Sequence, residues 1–92
     1  MRNFVVHDLR DTVGVAVMDL QAGTTAHGEM IDGGTVADIT ALEAIPLGHK
    51  IALRDFKPGD TIMKYGEDIG KVVAGIRKGE HVHVHNLKTK RW

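Results

Sequence analysis

At 92 residues and 10.0 kDa the chain has material for one domain, because a chain this short shields only about two thirds of its surface and cannot feed two cores. Hydrophobic residues at 42% and charged residues at 26% are ordinary globular usage and exclude a disordered chain, and the absence of cysteine excludes disulfides, thiolate metal sites and an iron–sulfur cluster of its own. Twelve basic and twelve acidic groups cancel, yet residues 1–43 hold two basic against seven acidic side chains, net −5, and residues 44–92 hold ten against five, net +5. His49, His81, His83 and His85 lie in that second part, so an anionic ligand or partner surface is expected there; the alternative is a plain imbalance in a small domain.

The opening stretch Met1–His7 lacks the apolar core of a signal peptide, and no run approaches the roughly 18 apolar residues of a membrane span. A soluble cytoplasmic protein without a membrane partner is expected. Phe4–Val6 reads as a short strand, His7–Asp11 as a turn, and Val13–Leu20, rich in β-branched residues, as a buried strand. Ile39–Ile45 alternates poorly, and strand is one reading of it. His49–Leu53, Asp60–Tyr65 and Glu80–Leu87 read as further strands, each after a glycine. Four times an apolar residue is followed at the third place by glycine, starting at Leu20, Ile45, Phe56 and Ile76, the pattern of a turn whose glycine takes a positive φ. Their uneven spacing excludes a solenoid. The expected fold class is all-β, mostly short strands with small helical turns, in one domain over residues 1–92 with a basic tail at 88–92.

Chemistry concentrates late in the chain. His81, His83 and His85 alternate with Val82 and Val84, and in a strand a period of two puts the three imidazoles on one face. Two of them can supply nitrogen ligands to a divalent ion if a third ligand comes from elsewhere, the alternative being a polar outer face. Gly48–His49–Lys50 with Arg54, and Lys64–Tyr65–Gly66, place cations beside turn glycines and suit an oxyanion, although solvated charges at strand ends would look the same. Lys64 suits acid–base work if burial lowers its pKa. No phosphate loop, nucleophile elbow or dinucleotide fingerprint is present. The four aromatic residues leave few stacking platforms, so nucleic acid is not an expected partner despite the basic tail.

Three ordered runs resemble one family: Ile45–Asp55 (IPLGHKIALRD), Lys64–Gly70 (KYGEDIG) and Val82–Leu87 (VHVHNL) are similar to the SAF domain of the altronate and galactarate dehydratases, as is the opening from His7 to Val17. The resemblance implies an SAF, or β-clip, antifreeze-like fold. It also implies a stand-alone small subunit, because the large catalytic domain found in most members does not follow here. The activity implied is that of a metal-dependent lyase eliminating water or sulfite from a 2-hydroxy acid, a sugar acid such as altronate or galactarate, or sulfolactate, to give a 2-keto acid. The metal, iron or manganese in the family, would be held mainly by the large partner subunit, and a homo-oligomer is a further option. On this reading His83, His85 and Lys64 are the catalytic candidates and His49, Lys50, Arg54, Tyr65 and Asn86 the substrate-binding ones. His83 and His85, inside the family-like run, are potential metal ligands and rank above His81. The rival reading is a noncatalytic module that binds a sugar acid or a protein.

Overall fold

A computed structural model describes residues 2–64, 66–83 and 87–88, the last two by backbone alone. Among the described residues nine strands run in chain order: β1 (Phe4–Val6), β2 (Val13–Ala16), β3 (Thr25–Met30), β4 (Thr35–Thr40), β5 (Lys50–Ala52), β6 (Thr61–Lys64), β7 (Glu67–Val72), β8 (His81–Val82) and β9 (Leu87–Lys88). They form a six-stranded sheet in the order β4-β3-β1-β2-β5-β8 and a three-stranded sheet in the order β6-β7-β9. Among the described residues only the β1–β3 pairing is parallel. The all-β expectation holds; no described residue is helical, so the small helical turns expected with it are absent from them.

Apolar side chains gather in two clusters. One surrounds Phe4, Val6, Ala16, Leu20, Ile39, Ile45 and Ile51; the other joins Val13, Ala52, Phe56, Ile62, Val72, Ile76 and Val82 between the two sheets. β5 serves both, since alternation sends Ile51 to the first and Ala52 to the second. Phe4 is fully buried because β2 and β3 carry glycine beside its ring: a Cβ on Gly14 would lie 2.6 Å from Phe4 Cδ2, and one on Gly28 would strike the ring directly.

The four apolar-x-x-Gly segments are the turns anticipated, with φ of 89°, 84°, 96° and 91° at Gly23, Gly48, Gly59 and Gly79. In each, the residue after glycine donates its N–H to the carbonyl three positions back, as in His49 to Pro46 at 2.9 Å and Asp60 to Lys57 at 3.0 Å. The turns also pair off. Leu20 and Ile45 exchange two backbone hydrogen bonds of 2.8 Å, and Phe56 and Ile76 exchange bonds of 2.7 and 3.0 Å. The residue preceding each pair repeats its role too: Asp19 Oδ1 accepts the Leu47 N–H and Asp55 Oδ1 the Lys78 N–H, both at 2.8 Å. Two arches of one design thus build the two clusters.

Several boundaries differ from the sequence reading. β2 ends at Ala16, because the chain must bend before Leu20 can bridge to Ile45. β4 covers Thr35–Thr40, so Ile39–Ile45 is a strand end and an arch. The strand expected over Glu80–Leu87 is not continuous: β8 stops at Val82 on the edge of one sheet, and Leu87–Lys88 pairs with β7 in the other.

Candidate functional site

Register at the β5–β8 edge decides what faces what. Lys50 lies opposite Val82 and Ile51 opposite His81. Directly opposed residues share a face and neighbours along a strand do not, so His49, Ile51, His81 and His83 belong to one side and Lys50, Ala52 and Val82 to the other. The expected site is therefore two groups.

The first group is made of imidazoles. His49 Nδ1 lies 2.8 Å from His81 Nε2, a hydrogen bond in which one ring donates and the other accepts. The His83 ring stacks on that of His49 with centroids 4.2 Å apart and planes at 23°, and lies 5.5 Å from that of His81 at 12°. All three are half-buried. One nitrogen from each lies within 4.8 Å of the others, which makes this a group able to hold a metal ion. Backbone contacts fix its parts: the His49 carbonyl accepts from Ala16 at 2.9 Å, and the His81 N–H donates to Glu43 Oε2 at 3.1 Å.

The second group is cationic. Burial pushes the half-buried Lys50 ammonium below its ordinary pKa, and the charge of Lys64 lowers it further. Lys64 ends β6, and the turn after it is anchored from outside its own sheet. Asp11, nearly buried, accepts the Gly66 N–H at 2.7 Å through Oδ1 and the Asp8 N–H at 3.2 Å through Oδ2. Thr12 donates its N–H to the Met63 carbonyl at 2.9 Å, and its hydroxyl accepts the Met63 N–H at 3.0 Å. Beside them the Arg10 guanidinium and N–H bind Asp8 and hold its carboxyl below the ordinary range.

Among the sequence-derived candidates, then, His49 and His83 come together, and Lys64 is near enough to Lys50 for its charge to lower the Lys50 pKa. Arg54 is held elsewhere, its guanidinium carbon 5.1 Å from the centroid of the Phe56 ring and Nη2 3.9 Å from Asp60. Tyr65, His85 and Asn86 lie outside the described residues. His81, ranked below its neighbours from sequence, is the ring that bonds His49, and His49 supplies the third nitrogen that no local pattern located. Asp11, Thr12 and Glu43 escaped the sequence reading. The first two lie within and just after the anticipated turn, and Glu43 is a single charge in an apolar stretch, so nothing local marks them.

Residues 2–90 match the family model described as the altronate/galactarate dehydratase SAF domain. The chain belongs to the altronate/galactarate dehydratase SAF-domain family. It is 50% identical over 91 residues to the (2R)-sulfolactate sulfo-lyase subunit alpha of Chromohalobacter salexigens, covering 98% of this chain and 97% of that relative. The subunit of the same name from Paracoccus pantotrophus is 59% identical over 54 residues, 59% of this chain and 81% of the relative. The altronate dehydratase of Bacillus subtilis is 39% identical over 89 residues, which is 97% of this SAF chain and only 17% of that enzyme. Among the described residues of this family member no helix is long and apolar enough to cross a membrane.

Proposed function

We propose that this chain is the small subunit of a two-subunit lyase that eliminates water or sulfite from a 2-hydroxy acid and leaves a 2-keto acid. The observation that carries the reading is the end-to-end match with a relative named as a subunit, set against dehydratases in which the same region is a sixth of the chain or so. A separate large subunit of the dehydratase family would supply the rest. The substrate would be a sugar acid such as altronate or galactarate, or sulfolactate.

The elimination breaks the C2–H bond, whose electron pair becomes the C2–C3 double bond, and releases the C3–O or C3–S pair with the leaving group. The enol then takes a proton at C3 and becomes the keto acid. A base supplied by the large subunit would accept the C2 proton and return it to the departing hydroxide or to C3. Lys50 and Lys64, close enough for one to depress the pKa of the other, lie across the β5–β8 edge from the imidazoles, where their charge suits an acidic surface of the large subunit rather than the substrate carboxylate. A divalent iron or manganese ion would add Lewis-acid polarisation of the substrate oxygens. The imidazole group has the donor chemistry to contribute ligands to such an ion, alongside the large subunit.

The test is co-production of this chain with a dehydratase-type large subunit and measurement of keto acid, and of sulfite, from sulfolactate, altronate and galactarate. Turnover should require both chains, and alanine at His49, His81 or His83 should lower kcat/KM by about tenfold or more. Turnover by the small chain alone would refute the two-subunit reading, and none with the partner would return it to a noncatalytic binding module.

A further inference from the structure

The three imidazoles are more complete as a ligand set than a shared site demands. In a tetrahedral centre with metal–nitrogen bonds of about 2.0–2.1 Å, ligand nitrogens stand roughly 3.3–3.4 Å apart. Here the His49–His81 pair is at 2.8 Å and every pair is within 4.8 Å. The first pair must open by roughly half an ångström and the widest pair close by at most about 1.5 Å. Side-chain torsions cover such shifts while the backbone stays in place. That backbone is held independently at each ring: His49 by its turn and by Ala16, His81 by pairing with Ile51 and by Glu43, and His83 two residues beyond on the same face. Two of the ligands come from one short segment and the third from the neighbouring strand, so docking β8 on β5 assembles the set.

We infer that this chain by itself binds one divalent transition-metal ion through His49 Nδ1, His81 Nε2 and one nitrogen of His83, leaving the remaining coordination positions open toward a substrate oxygen or the large subunit. This moves the ligand burden from the partner to the small subunit. The part such an ion plays in elimination rests on the lyase reading; binding itself does not. An all-imidazole set follows the order of affinity Mn, Fe, Co, Ni rather than favouring the oxygen-seeking manganese ion. Ferrous iron is accordingly the better-matched of the two candidate metals.

The experiment uses the purified 92-residue chain without a partner. Titration with Co2+, read by its visible ligand-field absorption and by calorimetry, should show one equivalent bound with nitrogen coordination. His49→Ala, His81→Ala and His83→Ala should each weaken binding by tenfold or more, with His49→Gln, His81→Gln and His83→Gln doing the same if an alanine variant melts early. His27→Ala should bind normally, because that ring is engaged by Asp38 at 2.9 Å and Glu29 at 3.4 Å. Mn2+ should bind at least tenfold more weakly than Co2+. Absence of binding to the folded chain, binding that survives loss of any of the three histidines, or a preference for Mn2+ would overturn the proposal. Failure of the lyase reading would look different: the chain would bind Co2+ yet the reconstituted pair would turn nothing over. An active pair containing a small subunit that binds no metal would sink this inference alone.

Discussion

Gly23, Gly59 and Gly79 occupy the same place in three copies of one turn, yet substitution by alanine should cost unequal amounts. All three have φ near +90°, where an L side chain is disfavoured by about 1–2 kcal/mol. At Gly23 and Gly59 an added Cβ meets nothing within 4 Å, so that backbone cost is the whole effect. At Gly79 the Cβ would run into the Thr40 carbonyl oxygen and stand 3.3 Å from Leu42 Cγ. Neither neighbour can retreat freely: Leu42 donates its N–H to the Gly79 carbonyl at 2.9 Å, and Gly79 donates to Ala52 at 2.9 Å. Overlap with backbone in a packed position adds roughly 1–3 kcal/mol, giving about 2–5 kcal/mol in all. For a domain of this size each kcal/mol is worth roughly 4–8 °C in Tm. Gly23→Ala and Gly59→Ala should therefore melt about 4–16 °C below the wild type, and Gly79→Ala about 8–40 °C below it, further than either, or not fold. Thermal melting by far-ultraviolet circular dichroism, backed by urea midpoints, measures this. Three equal losses would refute the claim that the arch at Thr40–Leu42 is packed on the Gly79 turn.

Two further outcomes follow from the loop that holds the β6–β7 turn. Asp11→Asn keeps an acceptor for Gly66 but aims an amide N–H2 at the Asp8 N–H, and should cost about 1–3 kcal/mol while loosening the position of Lys64, read as a lower urea midpoint and weaker association with the large subunit. Asp8 has its carboxyl held below 3.8 chiefly by the hydrogen bond from the Arg10 side chain, so the stabilisation is present above that value and is lost as pH falls through the lowered folded pKa. Arg10→Gln should accordingly melt below the wild type at neutral pH, with the two Tm curves converging in acid; a gap unchanged down to pH 2 would contradict the pairing.

The turns were legible because their chemistry is local: an apolar residue to bury and a glycine to take positive φ are enough to mark them. The proximity of His81 and His83 was legible for the same reason. What escaped depends on pairing. β3 (Thr25–Met30) and β7 (Glu67–Val72) are polar, glycine-containing segments with weak strand character of their own, and hydrogen bonding to β1, β4 and β6 makes them strands. The contact of His49 with His81, 32 residues apart, exists only through the β5–β8 register. The same register separates Lys50 from the imidazoles, which a list of cations and histidines near glycines runs together. Family-like runs marked the right stretches of chain without revealing on which face each side chain lies.

The place of β1 bears on how the molecule forms. It is the first strand in the chain, yet it lies inside the six-stranded order, bonded to β2 on one edge and to β3 on the other. Phe4 cannot be enclosed until Gly28 has emerged, and the Thr12–Met63 bonds wait for another 35 residues. Loop closures of that length must precede the contacts that reward them, which places folding in the millisecond-to-second range of β topologies rather than the microseconds of helical bundles. During synthesis β1 gains both partners by Met30, while β2 keeps one edge unpaired until Lys50–Ala52 has emerged. That open edge, with Val13 and Ala16 buried in the finished protein, is exposed to aggregation while the chain is being made.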